Sequence, residues 1–449
     1  MRRPAPMTAA LLGLLLSPLF AQNPALPPKL SSEAPCSKCG GYQLAGHLIQ
    51  SPRADYRIDS DLPEIYTTNG VLYSTAPVLP PMKTMDGVDI PEAMRRQQNA
   101  GFTAIDGSFE VFLYHLSQNH AKGETRRIVV YAKNVGTGAA IVAPQQAIFH
   151  GPNAGQPGSV ESRLGEAVMT EHWQPTAVEP VEIAPGTGAV VGYTKTIGAA
   201  EEGPDTSKAV FVTGTVRAAV SGNNPKLQVS VVAIPGDTPR GLFGAAAAML
   251  LGVGAQSGEG NMDMLIPPPE CHVRRVVGTA KNMMWQSDPV TLDVATLPAE
   301  GIPFQMALPK VQSVGCEAAR QTADLLLHPP YVHPDSVGNF QMEYLVTLAL
   351  ANSGKAPHNA DLRFGKEDQR VGLAWQLVAA SEATPLEALE EQPVSIGWAG
   401  KGTEGLVAPA YDASMLKAPL TIAPGAKQVV TVRLMVLGTS SLPYQLWVK

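Results

Sequence analysis

Charge is scarce in this sequence. Asp, Glu, Lys and Arg together make up 16% of its 449 residues, against roughly a quarter in an average globular domain. Basic blocks are absent, the formal net charge is −6 and the sequence pI is near 5.9. Without clustered Lys and Arg the chain lacks the electrostatic footprint of a nucleic-acid binder, and it is equally a poor candidate for anionic lipid binding. Apolar runs are short, and none after the amino-terminal stretch approaches the about 20 residues that cross a bilayer as helix. Catalytic signatures are missing as well: there is no Gly-x-Ser-x-Gly elbow, phosphate loop, dinucleotide fingerprint or His-Glu-x-x-His.

What the chain has in quantity is turn-forming residues and enough apolar material to bury. Gly (42) and Pro (40) are high while 45% of residues are hydrophobic, which fits many short strands joined by Gly/Pro turns rather than disorder. Arg2-Arg3, the apolar stretch Thr8 to Leu16, the break at Pro18 and the small residue Ala21 read as a cleaved secretory signal over residues 1–21. Cleavage removes two arginines and no acids, taking the net charge from −6 to −8. The expected product has no transmembrane segment and is exported by the secretory route to the periplasm, outer envelope or medium.

Two stretches nearly repeat. Ile183-Ala184-Pro185-Gly186 precedes Val190-Val191, and Ile422-Ala423-Pro424-Gly425 precedes Val429-Val430; upstream of each stands a strand-like run ending in Asn-x-Gly, Asn134/Gly136 and Asn352/Gly354. Pro-Gly sets a type II turn, with Pro fixing φ and Gly supplying the positive φ that follows. Asn-x-Gly is expected to place positive φ where strands join tightly. Asn69-Gly70, inside Glu64 to Thr75, carries a hairpin signal. Phe109 to His115, Arg127 to Ala132, Val210 to Val220 and Leu227 to Val232 read as strands of the first half. Phe340, Met342, Tyr344, Val346 and Leu348 alternate along one strand of the second.

The expected fold is therefore all-β: two tandem antiparallel β-sandwich, immunoglobulin-like domains with a short Ala-rich helix between them. The expected boundaries are a signal peptide over 1–21, a Pro/Ser/Gly-rich lead over 22–51, a first sandwich over 52–237, a helix and Pro-rich linker over 238–270, and a second sandwich over 271–449. The helix, Gly241 to Val253, has four consecutive alanines and no polar side. Such a helix needs cover, from both domains or from a membrane surface or partner.

Four cysteines in an oxidising compartment point to disulfides. Cys36 with Cys39 and Cys271 with Cys316 is the most economical pairing; the others tie the lead to the second half. Cys36-Ser37-Lys38-Cys39 also has zinc-knuckle spacing, but the second pair is 45 residues apart, and no βαβ pattern supports a thioredoxin-like role. Among nine histidines, His115 and His120 are five apart, as are His328 and His333, a spacing that suits neither face of a helix nor of a strand. Met262, Met264, Met283 and Met284 read as core filling more readily than as soft-metal ligands, and Trp173, Trp285 and Trp398 as buried rather than as a sugar platform.

Several stretches, in this order, resemble a family of exported bacterial proteins of unknown function, best represented in cyanobacteria: the domain of unknown function thirty-three-seventy. They are Glu64 to Thr75, Gly107-Ser108-Phe109-Glu110-Val111-Phe112, Val277-Gly278-Thr279-Ala280, and Gly338-Asn339-Phe340 through Glu343-Tyr344 to Leu350. The resemblance spans about Pro52 to Lys449 and implies export. It implies no catalytic residue and no cofactor, and it leaves the cysteines and the Ala-rich helix unexplained. The expectation is a non-catalytic binding or assembly module of the cell envelope, meeting an envelope protein or polysaccharide. The alternative is a metal-dependent or hydrolytic enzyme using His115, His120, His328 or His333.

Overall fold

Alternating apolar residues between Gly/Pro turns form long strands, and the computed structural model is all-β, with several open sheets. It describes residues 29–30, 41–61, 65–76, 83–84, 101–118, 123–152, 173, 175–198, 209–254, 259–260, 277–307, 321–329, 335, 341–365, 371–380, 382–390, 395–399, 417–436 and 444–449. Among these residues there are two α-helices, Phe243–Gly252 and Leu386–Glu390, and no helix is long and apolar enough to cross a membrane.

Two pairs of sheets enclose two separate cores. In the first, a nine-stranded sheet is built on Ala140–Pro152, Ala209–Gly222, Phe109–Gln118 and Tyr56–Ser60, and a five-stranded one on Gly188–Tyr193, Thr125–Asn134, Leu227–Pro235 and Gly70–Ser74. Ile58, Phe109, Val111 and Leu113 of the one sheet pack with Ile128, Val130, Val229 and Val231 of the other. In the second, a seven-stranded sheet carries Glu343–Ala351, Lys427–Val436 and Val371–Ala380, and a six-stranded sheet carries Ile302–Met306, Tyr444–Val448 and His358–Gly365. Tyr344, Val346 and Leu348 face inward with Met342, as their alternation implies, against Phe304, Leu362 and Leu446.

The halves exchange strands across the boundaries read from the sequence. Gly46–Gln50, from the lead, pairs antiparallel with Met283–Ser287 in the seven-stranded sheet; Tyr56–Ser60 pairs antiparallel with Val277–Lys281 in the nine-stranded sheet. Residues 46–60 and 277–287 thus form one bent antiparallel ribbon that belongs to both sheet pairs. At the bend, the Ser51 amide donates to the Asn282 carbonyl (2.8 Å) and the Asn282 amide to the Asp55 carbonyl (2.9 Å). The Gln50 side-chain amide also donates to the Asn282 carbonyl, at 3.0 Å. Leu325–Leu327, late in the chain, extends the nine-stranded sheet beyond Val277–Lys281.

Asn69-Gly70 does not turn a hairpin. Ile65–Tyr66 runs parallel to Phe109–Gln118 in the nine-stranded sheet, whereas Gly70–Ser74 pairs with Leu227–Pro235 in the five-stranded one. The Asn-Gly pair therefore marks a crossover between facing sheets. The Ala-rich helix also differs from expectation. It lies between the halves in sequence, but it packs Phe243 and Ala247 on Val129, Tyr131, Val232 and Ile234, on the outer face of the five-stranded sheet.

The repeated motifs close on each other identically in both halves. Asn134 Nδ2 donates to the carbonyls of Gly138 (2.8 Å) and Ile183 (2.9 Å), and its Oδ1 accepts from the Gly136 amide at 2.9 Å. Asn352 Nδ2 donates to Ala356 (2.9 Å) and Ile422 (2.8 Å), and its Oδ1 accepts from the Gly354 amide at 2.9 Å. The Gly186 and Gly425 amides return bonds of 2.8 Å to the two Asn carbonyls. Both Pro-Gly turns have the type II signature, with φ of 76° at Gly186 and 70° at Gly425. The Asn-x-Gly half of the motif works by another means than positive φ, which neither Gly136 nor Gly354 adopts. Gly136 is needed for room, because a Cβ there would sit 2.7 Å from the Asn224 carbonyl oxygen.

Each clasp saturates a buried amide, so Asn134→Ala and Asn352→Ala should each lower unfolding free energy by about 3 kcal/mol. Asn134→Asp should cost at least as much, because its carboxylate would face two carbonyl oxygens. Urea unfolding of the three variants checks both statements; an Asp variant as stable as the parent would refute the donor role.

Candidate functional site

The densest polar cluster sits at the bend of the ribbon. Glu343 opens its strand on the face opposite Tyr344, and so points away from the second core. Arg433 lies opposite Leu345 on the neighbouring strand, a diagonal position that brings it to Glu343. Arg433 Nε donates to Glu343 Oε2 at 2.7 Å, and its Nη2 stands 2.5 Å from the same oxygen. Arg53, in the bend, donates from Nε to Oε1. Trp173 Nε1 donates to Oε1 as well, at 3.1 Å, and the Trp173 ring lies 5.2 Å from the Arg433 guanidinium carbon. Arg433 Nη1 reaches Gln376 Oε1 at 3.3 Å. The Thr215 hydroxyl of the nine-stranded sheet bonds to Gln341, held at φ 62° just before Glu343. Glu343, Arg433, Gln341 and Thr215 are all buried. One carboxylate thus joins the ribbon bend, the seven-stranded sheet and Trp173. Removing one member of so buried a network would leave the others desolvated and incompletely paired.

A second cluster closes one end of the first core. Ser60 Oγ and His115 Nε2 are 3.0 Å apart, with the Tyr66 ring edge-on to the imidazole at 6.2 Å. Burial pushes the Tyr66 hydroxyl up to about 12, against the opposing pull of Ser117 and Arg126. Arg126 donates to the Gln118 carbonyl (2.7 Å) and Glu124 (2.8 Å). The Ser60–His115 distance is within nucleophile–base reach, but both residues have no exposed surface. The pair therefore satisfies polar groups inside the core.

His328 is buried elsewhere. Its Nδ1 lies 2.8 Å from the Pro329 carbonyl oxygen. Burial holds its pKa below the ordinary 6.5, with Pro329 and Asp335 acting the other way. In the nine-stranded sheet the strand before His328 is separated from that of His115 by two others, about 14 Å at ordinary strand spacing, so the two histidines are not brought together. His120, His333, Cys36, Cys39, Cys271 and Cys316 lie outside the described residues. Among the described residues no three His, Cys, Asp or Glu side chains form a metal-holding group. Trp285 is fully buried and Met284 nearly so, as expected for core; Trp173 is half-buried against Arg433. The sequence singles out neither Arg53 nor Arg433, and Glu343 enters it only within the stretch that carries the family resemblance. The available signal was a lone charge inside an apolar run, Val432-Arg433-Leu434.

Glu343→Gln should lower stability by about 3 kcal/mol or more, since it leaves two guanidiniums without their carboxylate; chemical denaturation measures it. His328 gives a pH dependence. The unfolded chain takes up its proton near pH 6.5, while the buried imidazole resists protonation. Stability is therefore full above that pH and falls as pH drops through it. Denaturation midpoints from pH 7.5 to 5 should show this loss, and His328→Gln should remove part of the slope; an unchanged slope would rule out His328 as its source.

No family model matches this sequence, and no curated protein matches it either, so the functional reading rests on the arrangement of its own residues.

Proposed function

We propose that this chain is an exported cell-envelope protein acting as a non-catalytic binding or assembly module, built from two tandem β-sandwich, immunoglobulin-like domains. Their sheets are mixed and not purely antiparallel, because the shared ribbon meets Phe109–Gln118 and Glu343–Ala351 in parallel. The observation that carries the reading is where the charged groups go. Arg53 and Arg433 hold Glu343, Arg57 holds Asp59, Arg126 holds Glu124, and Arg217 holds Glu110. Each pair has at least one buried member. The Glu343 and Glu110 pairs join separate strands or the ribbon bend, whereas Arg57–Asp59 and Arg126–Glu124 are formed two residues apart along one stretch of chain. Two facing sheet pairs with separate cores support the sandwich reading, and the ribbon shared by both suits a unit that presents a fixed surface. The basic start, apolar stretch and small residue at Ala21 support export. An envelope protein or polysaccharide is the partner class, by analogy with exported sandwiches in general.

Fractionation of the native host followed by crosslinking tests this. The protein should be recovered with the envelope and crosslinked to one of its components; recovery solely as a free monomer in the medium would overturn the assembly role. Non-reducing mass spectrometry should find no free thiol among Cys36, Cys39, Cys271 and Cys316, whereas four alkylatable cysteines would exclude disulfides.

A further inference from the structure

We propose that the Phe243–Gly252 helix docks this protein on a phospholipid surface, with Arg127 and Arg240 at the level of the lipid phosphates. The inference goes beyond the binding-module reading and does not depend on it, because it concerns a contact that purified protein makes with vesicles.

The first observation is apolar. The inner side of the helix is covered by the five-stranded sheet, but its outer side carries Leu242, Met249 and Val253, which are 55%, 62% and 72% exposed. Met249 and Val253 are four residues apart and so share one face with the exposed Ala245 and Gly252, and Leu242 stands just before the helix, at its amino end. Among the described residues, large hydrophobic side chains are otherwise exposed only at Val135 (41%) and Ile141 (47%), both outside the helix. No charged residue occurs between Arg240 and Glu259. A soluble surface rarely leaves a contiguous apolar stripe of this kind without a use.

The second observation is independent of the first. Of the described arginines, Arg53, Arg57, Arg126, Arg217, Arg363 and Arg433 lie within ion-pair distance of a carboxylate. Arg127 and Arg240 do not, and both stand at the amino end of this helix. Arg127 stacks 4.7 Å over Phe243 and is held by the Thr194 carbonyl (2.8 Å) and the Thr196 hydroxyl (2.6 Å). Arg240 stacks 5.4 Å over Tyr193, whose ring meets Phe243 edge-on at 5.5 Å. Exposed Lys195 lies between the two threonines, and Asp237 is the acid of the same stretch. A 3-10 turn over Arg240–Leu242 leads into the helix, and the Arg240 carbonyl accepts from the Phe243 amide.

A helix of ten residues is about 15 Å long, and three exposed side chains fall well short of the roughly 800 Å² that each partner buries in a stable protein pair. Shallow insertion into lipid grows in proportion to the apolar area it buries, so a small stripe gives reversible binding, and guanidiniums beside the stripe match phosphate oxygens. Because the chain as a whole is acidic, the stripe supplies most of the hold and the arginines set the orientation.

The test is sedimentation of the purified protein with phosphatidylcholine vesicles and with phosphatidylcholine–phosphatidylglycerol vesicles. The parent protein should partition onto both. The combined Leu242→Ser, Met249→Ser and Val253→Ser variant should lose about tenfold or more in partition on each. Met249→Ser alone should lose a smaller part, and Arg240→Glu should lose severalfold, more so on the phosphatidylglycerol vesicles. All these positions are exposed, so urea midpoints should stay unchanged. A parent protein that partitions no better than the triple variant overturns the proposal. So does a lipid-free dimer that the triple variant abolishes while vesicles leave the parent in solution, which would assign the stripe to a second copy of the chain.

Discussion

Two stretches far apart in sequence, 46–60 and 277–287, lie side by side and decide how the rest of the chain is arranged. An antiparallel ribbon satisfies its own backbone groups along its length, but its outer edges demand further strands. One end recruits Tyr344 and its neighbours; the other recruits Phe109–Gln118. Because the ribbon bends once, at residues 51–55 opposite Asn282, its two ends enter two different sheets. The Glu343 carboxylate, gripped by Arg53 and Arg433, fixes that bend from the second sheet pair. The two cores are therefore joined by hydrogen bonds and ion pairs, in contrast to sandwiches that are merely strung on a linker.

Local constraints were the part most open to sequence reading. Pro-Gly at 185–186 and 424–425 could only turn one way, since Pro fixes one dihedral and Gly permits the next. The alternation around Tyr344 could only bury one face. The Asn-x-Gly motif was recognised as a device, but for the wrong reason. Its value lies in an amide that bonds to a carbonyl 49 residues on in one half and 70 in the other, a relation that no short window contains.

Pairing at long range was not legible. Asn69-Gly70 has the composition of a hairpin turn, yet the strands on either side found partners in opposite sheets, and tertiary pairing overrode the local preference. The strand at Gly46–Gln50 hides in a Gly/Ser/Pro-rich lead because its burial is modest and its order comes from Met283–Ser287. The charged cluster was invisible for a related reason: Arg53, Trp173, Glu343 and Arg433 share no segment of chain. In the same way the acidic overall balance concealed a local pair of arginines, Arg127 and Arg240, that converge only when the helix folds back onto its sheet.

The ribbon also sets an order of events in time. Gln50 and Asn282 are 232 residues apart, so a growing chain must be more than half made before the two can meet. Topologies dominated by such distant contacts fold slowly, because the entropy of closing a long loop comes before the contacts that reward it. Under the export proposed above, that delay is useful: the early segments have no finished partner and stay available for transport. The same delay leaves its long strands edge-exposed until the second half arrives, the state in which unpaired strands associate wrongly.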